Sequence, residues 1–163
     1  MMKKISKKWF SLAMALSATV VVSAAAQAQT WDQWIDYGYP GYSETGNTWR
    51  TYPYPTAHDG SYRYQSHWDS GVFRYGTATF TTDPLPYTGI YEVRITYRAS
   101  ENRASSAEFV VVKDKFGNLE YHTINQSLGE GMETETLGRY EYKKGQQPYV
   151  KLIDNDAYSD SDC

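Results

Sequence analysis

Residues 89–98, Gly-Ile-Tyr-Glu-Val-Arg-Ile-Thr-Tyr-Arg, alternate between apolar or aromatic and polar side chains. In an extended chain successive side chains point to opposite faces, so this period of two separates the two kinds of residue. The apolar face consists of Tyr91, Val93, Ile95 and Tyr97. The polar face consists of Glu92, Arg94, Thr96 and Arg98. The pattern predicts an antiparallel strand with one face buried and the other in water.

Strand-like segments and turns continue on both sides of this stretch. The segment 107–113 (AEFVVVK) is almost wholly apolar and is predicted to be a central strand, and residues 114–118 (DKFGN) after it are typical of a hairpin turn. The other predicted strands are 72–80 (VFRYGTATF), 119–124 (LEYHTI), 138–144 (GRYEYKK) and 148–153 (PYVKLI). Short strands separated by turns, with no helical periodicity, predict an all-β fold, an antiparallel β-sandwich.

The first 28 residues have the pattern of a secretory signal peptide. Four lysines precede an uncharged apolar run, and Ala26 and Ala28 flank Gln27 at its end. This order of basic, apolar and small residues predicts export and cleavage after Ala28. The alternative is a membrane anchor, but the apolar run is short for a span and no basic flank follows it. We therefore expect a secreted or periplasmic protein with no membrane span after cleavage.

Two further parts follow the predicted leader. Residues 29–60 are rich in aromatic residues, proline and glycine, which favours loops and short edge strands packed on the sandwich. Residues 61–163 are expected to form the sandwich core and to end in an acidic tail. The leader holds four lysines and no acidic residue, so the remaining chain is more acidic than the full-length net charge of −3. We expect no nucleic-acid partner, because phosphate contacts need a net basic face and the chain is acidic overall.

Two groups of side chains are candidates for ligand binding. Flat aromatic rings stack on the apolar faces of sugars, and the candidates in irregular or edge segments are Trp31, Trp34, Trp49, Tyr52, Tyr54 and Trp68. The loop after residue 98 adds Arg98, Asn102 and Arg103, which can orient hydroxyl groups by hydrogen bonds. The alternatives are that the aromatic rings pack over the ends of the sandwich and that the arginines pair with acidic residues inside the protein.

The C-terminal residues contain a candidate metal site and the lone cysteine. Calcium takes six to eight oxygen ligands, and the candidates are Asp154, Asp156, Asp160 and Asp162. Their spacing is not that of an EF-hand, and the alternative is a solvated acidic tail. No other cofactor is expected. Cys163 lies among negative charges that disfavour a reactive thiolate, which leaves a disulfide to a partner chain open.

The sequence contains no complete catalytic motif. The three histidines, His58, His67 and His122, have no metalloprotease spacing, and neither a serine-hydrolase elbow nor a phosphate loop occurs. Residues 58–60 (HDG) are interpreted as a solvated turn rather than part of a triad. Paired carboxylates of a glycoside hydrolase remain an alternative, because their separation depends on the fold. We expect no enzyme activity.

The order of several segments resembles the golvesin C-terminal-like family, also called the xanthan lyase carbohydrate-binding-like domain. The segments are TGNTW (45–49), DGSYRY (59–64), residues 77–112, LGRYEYKKG (137–145) and YVKLID (149–154). The resemblance covers roughly residues 43–162 and implies a jelly-roll sandwich that binds polysaccharide and is appended to exported enzymes or surface proteins. The family pattern continues into a last strand after the acidic stretch, and residues 154–163 contain no such strand. The final strand of the sheet is therefore expected to be missing from these residues.

We therefore interpret the chain as an exported, non-catalytic binding module for cell-surface or extracellular polysaccharide. The alternative is a structural or adhesion protein of the cell surface or matrix. Such a protein would assemble through an exposed sheet edge near the C-terminal end, by accepting a strand from a partner chain.

Overall fold

The computed structural model describes residues 31–46, 49–65, 76–114 and 116–153, and the backbone of four short strands outside these ranges. The strands, in chain order, are β1 (Leu12–Ala13), β2 (Ser17–Val22), β3 (Trp34–Ile35), β4 (Tyr42–Thr45), β5 (Trp49–Pro53), β6 (Ser61–Gln65), β7 (Trp68–Asp69), β8 (Val72–Phe73), β9 (Thr77–Thr81), β10 (Gly89–Ala99), β11 (Ala107–Val112), β12 (Leu119–Ile124), β13 (Gly131–Tyr142) and β14 (Tyr149–Ile153). The described residues contain no helix, and hence no apolar helix long enough to cross a membrane.

Two antiparallel sheets form the body of the protein. One has five strands in the order β12-β11-β14-β9-β4, and the other has four in the order β13-β10-β2-β3. A single cluster of buried side chains draws on both sheets, for example Phe109 and Leu152 from the first and Tyr91 and Tyr142 from the second. The predicted all-β sandwich is therefore confirmed.

Strand β10 has the two faces that its sequence predicts. Tyr91 and Ile95 are completely buried, Val93 and Tyr97 are also buried, and the polar residues between them are partly exposed. Pairing with β13 runs along all of β10, with an irregularity between Val93 and Arg94 that leaves Leu137 as an extra residue. Such a bulge bends the strand that carries it.

Strand β11 is central, as its apolar sequence predicts. It pairs with β12 on one side and with β14 on the other. The predicted hairpin turn between β11 and β12 is also confirmed, and Gly117 has a φ of 84°. The carboxylate of Asp114 accepts hydrogen bonds from the backbone N–H groups of Phe116 and Asn118 and thereby closes the turn.

The structure differs from the sequence interpretation at residues 72–80. The expected single strand is divided into β8 and β9, which belong to different sheets. Gly76 lies between them, and a Cβ atom there would stand 2.6 Å from the carbonyl oxygen of Thr45. A close backbone approach at a glycine is a reason for a strand to end or bend, and residue type alone does not reveal it.

A smaller sheet in the order β1-β6-β5 contains the hairpin that shapes the candidate site. Strands β5 and β6 pair from Trp49 with Gln65 to Pro53 with Ser61. Pro53 has no N–H to donate, which suits the edge position of β5. Backbone hydrogen bonds from Tyr54 to Gly60 and from Ala57 to Tyr54 close the hairpin loop.

Candidate ligand-binding groove

A groove of about 560 Å³ lies between the β5–β6 hairpin and the loop that follows β10. The lining residues are Tyr52, Pro53, Tyr54, Pro55, Tyr62, Tyr64, Arg98, Asn102 and Arg103. Within the described part of the chain this lining contains four tyrosines, two arginines and no acidic side chain. We refer to it as the tyrosine–arginine groove.

Tyr62 is the centre of the aromatic wall. Its side chain is buried, and the rings of Tyr52, Tyr54 and Tyr64 have their centroids 5.6, 6.0 and 6.2 Å from its own. Tyr52 pairs with Tyr62 across the two strands, and its side chain is 52% exposed. A buried ring thus supports an exposed one, so the wall is held rigid while part of it remains available for contact.

The two arginines lie against this wall. The guanidinium carbon of Arg98 is 4.7 Å from the centroid of Tyr54, and that of Arg103 is 5.8 Å from the centroid of Tyr62. Both distances fall within the range of cation–π attraction. Arg103 Nη2 also donates a hydrogen bond of 2.9 Å to the hydroxyl of Tyr62. These contacts fix the directions in which both positive charges point.

The loop that carries Asn102 and Arg103 is tied to the sandwich by backbone hydrogen bonds. The N–H of Ser100 donates to the carbonyl of Gln126, and the N–H of Gln126 donates to the carbonyl of Ala104. A further bond from the Arg103 N–H to the Ser100 carbonyl makes a turn within the loop. The loop is therefore braced on both sides of Arg103.

The electrostatics of the groove favour an anion. Burial lowers the pKa of Arg103 below its ordinary value, Tyr62 opposes this effect, and the positive charge of Arg98 lowers the pKa further. Two cations therefore lie close together in partly dehydrated surroundings. A carboxylate or another anion placed between them would offset their repulsion and could accept hydrogen bonds from both guanidinium groups.

The structure brings five of the nine predicted binding residues into this groove. These are Tyr52, Tyr54, Arg98, Asn102 and Arg103. Sequence reasoning missed Tyr62 and Tyr64, which lie two residues apart in β6. The tyrosine at every second position of Ser-Tyr-Arg-Tyr-Gln is a signal that could have found them, since it places both rings on one face.

The remaining predicted aromatic residues lie elsewhere. Trp31 packs edge to face on Tyr91 at 5.9 Å, and Trp49 donates from its indole N–H to the Thr45 carbonyl and packs against the core. Trp34 stacks on His58 with a centroid distance of 4.9 Å. The backbone of Trp68 belongs to β7, and its side chain lies outside the described residues.

Outside the lining of the tyrosine–arginine groove, His58 lies beside two carboxylates. The Nδ1 atom of His58 lies 3.4 Å from a carboxylate oxygen of Asp59 and 4.0 Å from one of Asp36. These three side chains offer one nitrogen and two oxygen ligands in a small volume. Burial is the main cause that raises the pKa of Asp36 to about 6. The aspartates for which calcium was considered, Asp154, Asp156, Asp160 and Asp162, lie outside the described residues, as does Cys163.

Comparison with known proteins identifies the family. A sequence profile for the golvesin C-terminal domain matches residues 35–161. The chain belongs to the golvesin C-terminal domain family. The match spans β3 to β14, and therefore includes every residue of the tyrosine–arginine groove.

The golvesin C-terminal domain is a family of non-catalytic accessory domains that are typically extracellular. No curated protein and no solved structure shows significant similarity to this chain.

Proposed function

We propose that this golvesin domain is an exported, non-catalytic module that binds extracellular polysaccharide in the tyrosine–arginine groove, and that it favours chains carrying carboxylate groups. The observation that carries the proposal is the composition of the groove lining, in which, among the residues that the structure describes, tyrosine rings and two arginines lie together without an acidic side chain.

The tyrosines supply the contact that sugars require. A pyranose ring presents apolar C–H groups on its faces, and these groups pack on flat aromatic rings. Tyr52 is half exposed and lies 5.6 Å from the buried Tyr62, so its ring is both supported and accessible. A groove of about 560 Å³ is large enough to receive sugar units of a polymer.

The arginines supply selectivity among sugars. A guanidinium group offers two parallel N–H donors that match the two oxygens of a carboxylate. Arg98 and Arg103 are held by Tyr54 and Tyr62, so little side-chain freedom remains to be lost on binding. Neutral sugars can accept hydrogen bonds from the same groups but do not offset their charge.

The test compares polysaccharides that differ in charge. Polygalacturonate and alginate are the acidic probes, and dextran is the neutral one. We expect binding of the acidic polymers by isothermal titration calorimetry, and a loss of about tenfold or more in affinity for Arg103→Gln, since a charge-assisted hydrogen bond contributes about 1.5–3 kcal/mol.

Lys144→Gln is the matched control. It removes one positive charge near Thr88, at the opposite end of β10 from Arg98, and should leave affinity unchanged. Equal losses for Arg103→Gln and Lys144→Gln would show that the groove is not the site. Absence of binding to all polymers, with and without EDTA, would overturn the function itself.

A further inference from the structure

Strand β10 pairs with one strand on each side, and these two strands come from different parts of the chain. On one side β13 pairs with its full length. On the other side β2 pairs with Tyr91 to Thr96, opposite Val22 to Ser17. Strand β2 belongs to residues 1–28, the predicted leader. One flank of a core strand is thus occupied by a segment that export would remove.

Strand β2 also connects β10 to β3. Its Ala18 and Thr19 pair with Ile35 and Trp34 of β3, and among the described residues β3 has no other strand partner. Cleavage after Ala28 would therefore separate β3 from β10 and leave six residues of β10 without a neighbour on that side. Backbone N–H and C=O groups that lose their hydrogen-bond partners where water has little access lower the stability of the folded protein.

The side chains that flank this position belong to the core. Tyr91 and Ile95 of β10 are fully buried, and Val93 and Ile35 are 2% and 1% exposed. A gap in the sheet at this position would expose them to water. Unpaired strand edges beside apolar side chains are the usual places where a strand from another chain adds to a sheet.

We propose that the position beside Tyr91–Thr96 is a strand-acceptor site, which in the exported protein takes an uncharged apolar strand from a partner protein, antiparallel to β10. The proposal rests on removal of the leader and is independent of polysaccharide binding. The groove begins on β10 at Arg98, two residues beyond the paired segment.

The present occupant defines the chemistry of the partner strand. Residues 17–22, Ser-Ala-Thr-Val-Val-Val, carry no charge, and four of the six are β-branched. The partner strand should therefore have about six residues with β-branched side chains and no charge, as suits a position inside a sheet.

Among the described residues that follow the predicted leader, a second copy offers no unpaired segment of this kind. The uncharged run Thr77–Thr81 and the apolar run Ala107–Val112, which includes Glu108, are each paired on both sides within their own sheet. The segment 154–163 contains four aspartates and is too polar for the position. The donor in this proposal is therefore a different protein chain.

The experiment begins with the full-length chain expressed for export in a bacterial host. Intact mass spectrometry of the purified product should show a start at Gln29. A product that retains residues 17–22 would overturn the proposal, because the position would then never be vacated.

A synthetic peptide of residues 17–22, flanked by lysines for solubility, is then added to the exported protein. At a concentration far above the dissociation constant we expect it to raise the melting temperature by about 5–10 °C. The control peptide has proline in place of Thr19 and Val21, which removes two backbone donors and should have no effect. Equal effects of the two peptides, or no effect of either, would contradict a strand-acceptor site.

Disulfide trapping tests the register. Arg94 lies opposite Thr19, so the exported Arg94→Cys, Cys163→Ser protein should be trapped at least tenfold faster by a peptide with cysteine at position 19 than by one with cysteine at position 20. Equal rates would contradict the register. A stable dimer of the exported protein that fails to bind the peptide would assign the position to a second copy and overturn the choice of a different chain.

Discussion

At the scale of single residues, the tyrosines of this golvesin domain have two distinct uses. Tyr91 and Tyr142 are fully buried, and the hydroxyl of Tyr142 donates to the Val112 carbonyl. Burial is the main cause that raises the pKa of Tyr142. Tyr52 keeps half of its surface in water at the groove. The same residue type therefore builds core and binding surface because its ring is apolar and its tip is polar.

Asp36 predicts a pH dependence of stability. Burial raises its pKa from 3.8 to about 6, so the folded state binds more protons than the unfolded state between these values. The stabilisation by protonated Asp36 is fully present below about pH 4 and is lost as the pH rises through about 6. We expect Asp36→Asn, which keeps an acceptor for the Tyr37 N–H, to be more stable than the wild type at pH 7 by up to about 2–3 kcal/mol.

Urea unfolding at pH 4.5 and pH 7 measures this effect. The stability of the variant relative to the wild type should grow over this interval. Asp83→Asn, at an exposed position that also accepts a side-chain hydrogen bond, is the control and should show no such growth. If the free energies of unfolding of Asp36→Asn and of the wild type differ by the same amount at both pH values, the raised pKa of Asp36 is contradicted.

At the scale of elements, strand pairing depends on two glycines for different reasons. Gly41 has a φ of 91°, and a Cβ atom there would lie 2.1 Å from the carbonyl oxygen of Thr81 at the end of β9. Gly117 has a φ of 84° in the β11–β12 turn, and nothing lies within 4 Å of its Cβ position. A residue with a Cβ atom would therefore suffer both backbone strain and a steric clash at position 41. At position 117 it would suffer backbone strain alone.

Alanine substitutions separate these two costs. Gly117→Ala should lower the free energy of unfolding by about 1 kcal/mol, which is the cost of a left-handed conformation for a residue with a Cβ. Gly41→Ala should lower it by about 3 kcal/mol or more, since β4 must also move away from β9. Urea unfolding of the two variants side by side is the measurement, and equal losses would contradict the close approach at Thr81.

At the scale of the whole molecule, a basic groove lies on an acidic protein. The formal charge of the full chain is −3, and it is more negative without the lysines of the leader. Long-range repulsion of an acidic polysaccharide is therefore expected to precede short-range attraction by Arg98 and Arg103. Salt screens the long-range repulsion more than the short-range attraction, because the Debye length falls from about 30 Å at 0.01 M to about 8 Å at 0.15 M.

The rate of association should consequently increase with salt in this range. Surface plasmon resonance with immobilised protein and soluble polygalacturonate measures this rate between 0.01 M and 0.15 M salt. Dextran, which is neutral, should show little change. An association rate that falls with salt for polygalacturonate would mean that attraction dominates at long range and would contradict this account.

Sequence reasoning succeeded where the signal is local. The alternation in β10, the apolar run of β11 and the glycine turn after it are properties of neighbouring residues, and the structure confirms each of them. It failed at residues 72–80, where a long-range contact near Gly76 divides the expected strand. Trp31 and Trp49 are candidates for ligand contact from the sequence, and the structure places both against the core, a long-range contact that no local pattern reveals.

The β fold of this protein follows from the sequence alone, because a side-chain period of two and well-placed turn residues act within a few positions of the chain. The sequence also indicated Arg98, Asn102 and Arg103, since a polar loop between two strong strands is visible without coordinates. The packing of Arg98 on Tyr54 and of Arg103 on Tyr62, some 40 positions away in sequence, and the place of β2 beside β10 are visible only in the folded structure. Those contacts depend on how sheets pack and pair across the whole chain, and that information is not local.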